Sequence, residues 1–514
     1  MTASPSQELR YDIIIKSGKI IDGTGAPWIR GDIGITASRI TRIGTIPNHY
    51  GERIIDAENL YVAPGFIDVH THVDTKIDSH PEVKNYLFQG VTTVVGGNCG
   101  SSRYPLKKLF QAIESKIAVN FASFVGHNTV REHVMGDFDR APTGEELSLM
   151  QGIVSQEMRA GAVGFSTGLS YIPGRYSTTE EIIELAKMIE PFHGVYATHM
   201  RNQGKYIKKA IEEAVRIGRT AGVAVQISHI KLAHEDVWGE YELITEPIEN
   251  ARDEGIPVFT DQYPYTATSS GFGSSFPGWA VAGGHEKFAE RIKNADTFQR
   301  IKEALIKSRL TSKRANPLKS IYVSQNDNHP EYEGKSIAET LKLLGQDETI
   351  SKGAELIITM YAEDQPEGVF FQMDEKDVCA LMKPAYTMVG SDGGVNIPGE
   401  GVPHPRAYGT FPRVFRYVRK NVLSLSDAVR KMTSLPALAM GFYQRGVLRE
   451  GMYADVVVFD STIKDTATHE MPHQYPDGIY WVFVNGKIAA HNKNIDTCAG
   501  KILYHGMRQQ GSLL

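Results

Sequence analysis

Short apolar runs alternate with longer amphipathic stretches along most of the sequence, and this alternation limits the possible folds more than any other feature. The runs are rich in β-branched residues, which favour buried strands, and the stretches between them have the spacing of amphipathic helices. Eight such runs predict an α/β fold in which parallel strands close into a (β/α)8 barrel. The predicted barrel strands are Phe66–Asp74, Val91–Asn98, Asn120–His127, Ala162–Thr167, Gly194–Met200, Ala224–Ile230, Pro257–Tyr265 and Thr387–Gly393.

The seventh and eighth runs are about 120 residues apart, much farther than the strands of an ordinary βα unit. Residues 270–385 are therefore predicted to form an insertion near the mouth of the barrel, where an added segment can act as a lid. Within the insertion we expect a helix over Phe288–Leu310 and strands over Ser320–Ser324 and Glu355–Tyr361.

Both ends of the chain have a different texture, in which short strand-like runs follow one another between turn signals. Because the two ends resemble each other, we expect them to pair into one small β domain. The predicted division is therefore a small β domain from residues 1–62 and 441–514, and a barrel from residues 63–440 that includes the insertion. The terminal strand-like runs are Tyr11–Lys16, Gly31–Thr36, Arg39–Gly44, Ala454–Phe459 and Tyr480–Lys487.

Composition excludes several classes of protein. The net charge is -5 without a long run of like charge, which argues against a general nucleic-acid binder. The sequence contains no stretch of about 18 apolar residues, so no membrane span is expected. The segment Met1–Arg10 lacks the apolar core of a signal peptide. The 3 cysteines are too few for a disulfide framework. We therefore expect a cytoplasmic protein, whose oligomeric state the sequence does not define.

The first predicted strand carries the histidine pair His70 and His72. Side chains alternate along a strand, so both imidazoles leave one face and can share a divalent cation if other ligands converge on them. A histidine pair in a surface loop would have the same spacing.

Other ligand-type residues also stand at the carboxyl ends of predicted strands, where the reactive groups of a parallel barrel lie. Each has a plainer alternative: a core histidine, a small buried thiol or a turn aspartate. Their joint position favours a zinc site, because Zn²⁺ binds imidazole, thiolate and carboxylate. These residues are Cys99, His199, His229 and Asp392.

The segment Gly65–His72, with His199, His229 and Asp392 farther along, resembles the amidohydrolase superfamily. Four further segments narrow the resemblance to the N-acyl-D-amino-acid deacylases, and the likeness extends over most of the chain. It implies a metal-bearing barrel with a small β domain built from both termini. The four segments are Gly90–Gly100, Gly161–Leu169, Asp261–Tyr265 and His404–Arg406.

The resemblance also implies a ligand set for one or two Zn²⁺ ions. Cys99, His199 and His229 would form the tight site, and His70 and His72 the weaker or second one. Many members of the wider superfamily bridge two metals with a carboxylated lysine after strand four. This chain has no lysine there, and Cys99 matches the cysteine that the deacylase branch uses instead.

By the same resemblance the chain is an enzyme that hydrolyses the amide bond of N-acyl-D-amino acids, with a small-molecule substrate and neither nucleic acid nor membrane as partner. Asp392 would accept a proton from water and deliver it to the leaving amine. Lys231, Tyr263, Ser269 and Arg406 match positions that hold the substrate, and the planar fork of Arg406 suits a carboxylate. Two alternatives are a cyclic-amide or dipeptide hydrolase on the same scaffold and a non-enzymatic scaffold, although the latter would be expected to have lost ligands.

Overall fold

The computed structural model of the protein describes residues 10–312 and 316–504. Residues 1–9, 313–315 and 505–514 lie outside the described part. The polar segment Met1–Arg10 therefore lies almost wholly outside the described part. The first and last residues of the predicted small β domain lie outside it as well.

The described residues form strands throughout the chain. They are β1 (Tyr11–Ile20), β2 (Ile29–Thr36), β3 (Arg39–Gly44), β4 (Gly51–Asp56), β5 (Tyr61–Pro64), β6 (Phe66–Asp68), β7 (Val91–Gly96), β8 (Asn120–Ser123), β9 (Val125–Gly126), β10 (Gly164–Gly168), β11 (Val195–His199), β12 (Ala224–Ile227), β13 (Val258–Gln262), β14 (Ala267–Gly271), β15 (Ile321–Gln325), β16 (Glu367–Phe371), β17 (Thr387–Val389), β18 (Val456–Lys464), β19 (Asp477–Val484), β20 (Lys487–His491) and β21 (Asn494–Ile495).

The parallel strands close into a barrel, which confirms the predicted fold class. One run of neighbours is β6-β7-β8 and the other is β9-β10-β11-β12-β13-β17. β8 and β9 are the two halves of one predicted strand and are interrupted at Phe124, whose N–H still donates to Gly96 O. The last strand returns to the first through the parallel pairing of Thr71 with Gly393. All eight predicted runs contain or overlap a barrel strand.

Helices cover the outside of the barrel. Helix α6 shows why these segments are helical: Ile207, Ile211, Ala214 and Ile217 recur on one face and are all buried. The helix ends at Gly222, whose φ of 73° a residue without Cβ adopts easily. The helices are α1 (Lys84–Leu87), α2 (Leu106–Ile113), α3 (His127–Met135), α4 (Gly144–Arg159), α5 (Thr179–Ala186), α6 (Ile207–Ala221), α7 (Glu242–Asp253), α8 (Gly278–Val281), α9 (Gly284–Arg291), α10 (Ala295–Arg309), α11 (Ile337–Leu343), α12 (Ile350–Glu363), α13 (Glu375–Met382), α14 (Arg406–Arg419), α15 (Leu425–Met432) and α16 (Ser434–Ala439).

Among the described residues, none of the helices is both long enough and apolar enough to span a membrane.

The two ends of the chain share one sheet, as predicted. Its order is β21-β20-β19-β18-β5-β1-β2-β3, with β4 beside β1. The junction between the ends is the antiparallel pairing of β18 with β5, where Val456 faces Pro64. β5 continues through Gly65 into β6, so the small sheet leads directly into the first strand of the barrel.

The insertion has its own apolar core and a three-stranded antiparallel sheet in the order β14-β16-β15. The strand predicted over Glu355–Tyr361 is wrong, because these residues belong to helix α12. The side chain of Thr349 caps that helix, and Leu356, Ile357, Met360 and Tyr361 are buried at helical spacing.

The helix predicted over Phe288–Leu310 is two helices, α9 and α10. The break has a local cause, since the side chain of Asn294 accepts a hydrogen bond from the N–H of Thr297 and starts a new helix there. The strand predicted over Ser320–Ser324 is present as β15.

A buried ion pair near the small sheet is hydrogen-bonded to the bottom of the barrel. Arg445 binds Asp455, and the amide of Asn120 on β8 donates to the same carboxylate at 3.2 Å. Replacing Asp455 with Ala would leave the arginine charge buried without its partner. We therefore expect Asp455→Ala to lower the free energy of unfolding by about 3–5 kcal/mol in urea denaturation.

The matched control is Asp477→Ala, which removes a surface ion pair with Lys493 in the same sheet. Because Asp477 is half exposed, with 51% of its side-chain surface accessible, this change should cost about 1 kcal/mol or less. Equal losses in the two variants would contradict the structural role given to Asp455.

Candidate active site

All six residues predicted to carry the chemistry meet at the carboxyl ends of the barrel strands. His199 is the last residue of β11, and the other five lie just beyond their strands, since β6, for example, ends at Asp68. Backbone hydrogen bonds between the segments that follow β6 and β17 continue beyond the strands. His72 N–H donates to Gly393 O at 2.7 Å, and Asp392 N–H donates to His70 O at 2.8 Å. The first and eighth strand ends are thereby held side by side.

The thiol of Cys99 lies at the centre of the cluster and is 6% exposed. Its Sγ is 3.3 Å from His70 Nε2, 3.6 Å from His229 Nε2 and 3.7 Å from His199 Nδ1. His199 Nδ1 and His229 Nε2 are themselves 2.8 Å apart. Three imidazoles from three different strand ends therefore face one sulfur atom.

The carboxylate of Asp392 lies on the other side of the cluster. Its Oδ1 is 3.1 Å from His72 Nε2 and 3.4 Å from His70 Nε2. Its Oδ2 accepts a hydrogen bond of 2.6 Å from the guanidinium of Arg406. Ligand atoms of His70, Cys99, His229 and Asp392 all lie within 4.8 Å of one another, which is close enough for one ion to contact all four.

Three of these residues have an unusual backbone conformation. The φ angles of Cys99, His229 and Asp392 are 54°, 37° and 52°, in the left-handed region that residues with a Cβ seldom occupy. Each such residue costs about 1–3 kcal/mol and persists only where the surrounding structure enforces it. Strain of this kind concentrates at functional sites, so the backbone independently supports a site here.

Burial and close charges strongly perturb the ionisation of the cluster. Burial opposes ionisation of Cys99, but the adjacent His70, His199 and His229 hold its pKa well below the usual value for a thiol. Burial lowers the pKa of His229 to about 3, with help from the charge on Lys231. A thiolate beside a neutral imidazole offers two electron pairs to a soft or borderline cation.

The sequence prediction missed Asp261, which orients the cluster from below. Its carboxylate is 3.0 Å from His70 Nδ1 and accepts hydrogen bonds from His229 N–H at 2.8 Å and from Gln226 Nε2 at 2.7 Å. Gly390 permits this approach, because a Cβ there would lie 2.9 Å from the Cβ of His70. Asp261 stands at the end of β13, so the same strand-end rule could have identified it.

Two further contacts fix the remaining histidines. Ser170 Oγ is 2.8 Å from His199 Nε2, and the Gln203 side chain is 3.2 Å from His229 Nδ1. Imidazoles that bind metals are typically held through the second ring nitrogen in this way. Nothing in the sequence pattern singled out these two residues, which come from loops after the strands.

The four predicted substrate-binding residues lie close to the cluster. Lys231 is buried, its Nζ donates to Gln203 Oε1 at 2.8 Å, and burial lowers its pKa to about 7. Lys231 and Arg406 both face the ring of Tyr263, at 5.4 and 4.9 Å from its centre. Ser269 is half-buried on β14, and its carbonyl oxygen accepts a hydrogen bond from Arg406.

A cavity of about 170 Å³ opens beside Asp392. Arg406 and Ser269 form part of its wall, and the insertion contributes Glu367. Lys76 and Glu400 also line the cavity and pair at 2.9 Å. The cluster therefore has an adjoining space in which part of a small molecule can be held.

The chain is similar to a known protein family and to several of its members. Residues 53–299 and 380–490 match the amidohydrolase family. The D-aminoacylase of Alcaligenes xylosoxydans xylosoxydans is 35% identical over 95% of both chains, and the N-acyl-D-aspartate deacylase of the same organism is 35% identical over 93% of this chain and 91% of its own.

A solved structure is similarly close. The N-acyl-D-glutamate deacylase of Bordetella bronchiseptica, complexed with zinc and a phosphonate that mimics the tetrahedral intermediate, is 33% identical to this chain. The match covers 96% of this chain and 100% of that one, with a TM-score of 0.82.

The contact between His70 and Asp261 leads to a prediction about metal affinity. Asp261→Asn keeps the shape of the side chain but removes the charge that orients and polarises His70. We expect zinc affinity, measured by competition with a chelator, to fall about 10–100-fold.

Glu181→Gln is the matched control, because Glu181 also pairs with a buried histidine, His127, at 2.9 Å but outside the cluster. This variant should bind zinc like the unmodified protein. An equal loss of affinity in both variants would show that the Asp261 effect is not specific to the cluster.

Proposed function

This chain belongs to the amidohydrolase family, and from that premise we propose that it hydrolyses the amide bond of N-acyl-D-amino acids to a carboxylate and a D-amino acid. It is a metal-dependent hydrolase of linear amides, with zinc as its cofactor. The observation that carries the proposal is the buried thiol of Cys99 surrounded by three imidazoles, with Asp392 facing them across the cluster.

The residues present fit zinc by their chemistry. Thiolate, imidazole and carboxylate are its usual ligands, and the cluster offers all three from buried positions. Cys99, His199 and His229 would form one set of ligands, with His70 and His72 forming a second or supplementary set. When bound, zinc lowers the pKa of a water molecule towards 7 and polarises the carbonyl of the scissile amide.

Asp392 is placed to move the proton. Burial raises its pKa, but Arg406, His229 and His70 outweigh this and hold the pKa well below the usual value, so the carboxylate is ionised and able to accept a proton. We propose that it takes a proton from the attacking water and delivers it to the nitrogen of the leaving amine. Arg406 holds Oδ2, which leaves Oδ1 facing the histidines as the accepting atom.

The substrate carboxylate would be bound where two cations flank Tyr263. Lys231 and Arg406 lie 5.4 and 4.9 Å from the centre of this ring, and the Tyr263 hydroxyl is buried beside the Arg406 side chain. A substrate carboxylate there would accept hydrogen bonds from the tyrosine hydroxyl and from the two cations. Ser269, on the neighbouring β14, would contact the substrate from the insertion.

Three broader features remain proposals. We propose that residues 1–62 and 441–514 form the small β domain and residues 63–440 the barrel with its insertion, which the pairing of β18 with β5 supports. We propose a cytoplasmic location, which the free thiols of Cys99, Cys379 and Cys498 support. The partner is a small molecule rather than a nucleic acid or a membrane.

A panel of N-acyl amino acids of both hands tests the proposed reaction directly. We expect release of D-amino acids from N-acetyl-D-methionine and similar substrates, little or no release from the L forms, and loss of turnover in a strong chelator with recovery on addition of zinc. Ring opening of a hydantoin without deacylation would favour the cyclic-amide alternative instead.

Two substitutions separate metal binding from proton transfer. Cys99→Ala should lose bound zinc, measured by metal analysis, because a central ligand is removed. Asp392→Asn should retain zinc and lower kcat by about 10²–10⁴-fold, the usual size of a general acid–base contribution. A near-normal kcat for Asp392→Asn would rule out the proton role.

A further inference from the structure

The charges on the wall of the cavity beside Asp392 are mostly compensated. Asp392 pairs with Arg406 at 2.6 Å, and Lys76 pairs with Glu400 at 2.9 Å. Glu367, from the insertion, differs from these residues. Within the described part of the chain, its carboxylate has neither an ion-pair partner nor a hydrogen bond, so the cavity wall carries one acidic group without a direct partner.

The position of Glu367 is fixed by the sheet of the insertion. It is the first residue of β16 and pairs with Gly271 on β14, the strand that also carries Ser269. A Cβ on residue 271 would lie 3.4 Å from Glu367 Oε1, in contact with the carboxylate. The absence of a side chain at Gly271 therefore leaves the carboxylate room above the strand.

Glu367 is also close enough to the cluster to interact with it electrostatically. Desolvation by the surrounding protein raises the pKa of Glu367 above its usual value, although the charges of Arg406 and His72 oppose this rise. Glu367 is exposed at the start of β16, and it lines the same cavity as Asp392 and Arg406.

The geometry of the proposed reaction indicates which part of the substrate Glu367 meets. The scissile amide must lie at the cluster, and the α-carboxylate lies between Lys231 and Arg406 beside Tyr263. Of the residues proposed to hold the α-carboxylate, Arg406 borders the cavity, whereas Lys231 and Tyr263 are not among the residues that line it. The cavity is therefore left for a third part of the substrate, the side chain of the amino acid.

We propose that Glu367 sets the side-chain preference of the site, so that N-acyl-D-amino acids with a cationic side chain are favoured and those with an acidic side chain are rejected. This inference rests on the proposed deacylase function. A carboxylate without a direct partner attracts an ammonium or guanidinium group and repels a second carboxylate, and such repulsion is an effective source of specificity. The acyl group is attached to the other end of the scissile amide and is the alternative occupant of the cavity. The test therefore includes a substrate whose charge is on the acyl group.

The test compares kcat/KM of the zinc-loaded enzyme for N-acetyl-D-lysine, N-acetyl-D-methionine and N-acetyl-D-aspartate. We expect the ratio of the lysine to the aspartate derivative to be high in the unmodified enzyme and to fall about tenfold or more in Glu367→Gln. Glu367→Lys should lower the ratio further. The value for N-acetyl-D-methionine should change much less, because its side chain carries no charge.

Glu303→Gln is the matched control, since it removes the same charge from the insertion at an exposed position on α10 that does not line the cavity. It should leave the lysine-to-aspartate ratio unchanged. A fourth substrate, N-succinyl-D-methionine, carries the negative charge on its acyl group and should respond little to Glu367→Gln.

The possible outcomes separate a failure of the proposed side-chain preference from a failure of the proposed deacylase function. Turnover of the panel with an unchanged lysine-to-aspartate ratio in Glu367→Gln would overturn the inference and leave the deacylase function standing. A response confined to N-succinyl-D-methionine would overturn it as well, because Glu367 would then face the acyl group. No turnover of any N-acyl-D-amino acid by the zinc-loaded enzyme would overturn the proposed function and the inference with it.

Discussion

Cys99 Sγ lies within 3.7 Å of nitrogen atoms from His70, His199 and His229, at a point from which solvent is almost excluded. Four separate loops must be held in place for this contact to exist. The closed barrel supplies that restraint, because neighbouring parallel strands place their carboxyl ends at one rim. Left-handed backbone at Cys99, His229 and Asp392 shows that the surrounding structure also enforces local conformations that these residues disfavour.

The remainder of the site follows from the charges gathered there. A buried thiolate and a buried carboxylate require compensation, which the imidazoles and Arg406 provide within the protein. Asp261 acts one layer below, through His70 and the backbone of His229. The small sheet formed by both chain ends runs directly into β6, and the insertion extends the other side of the mouth and forms part of the cavity. The small sheet and the insertion are therefore both connected to the barrel strands whose ends carry the site.

The sequence predicted the barrel and its six ligand-type residues because both have strong local signals. Buried parallel strands are short and apolar. The residue that follows each strand lies at the rim of the barrel, regardless of the conformation of the loop after it. The prediction was weaker where tertiary contacts decide the outcome. The β-branched residues Ile357 and Ile358 favoured a strand in the insertion, but the cap at Thr349 and a buried apolar face make this segment helical. Glu367 was not found, because its role depends on which charges elsewhere are already paired.

Zinc K-edge X-ray absorption of the zinc-loaded protein tests the central claim most directly, since it reports the atoms around the ion itself. The account predicts one sulfur neighbour at about 2.3 Å, together with nitrogen or oxygen neighbours at about 2.0–2.2 Å. The sulfur signal should be absent from Cys99→Ala reconstituted with excess zinc. A spectrum of the unmodified protein with nitrogen and oxygen neighbours alone would contradict the account, because the ion would then lie away from the thiol around which the strand ends meet.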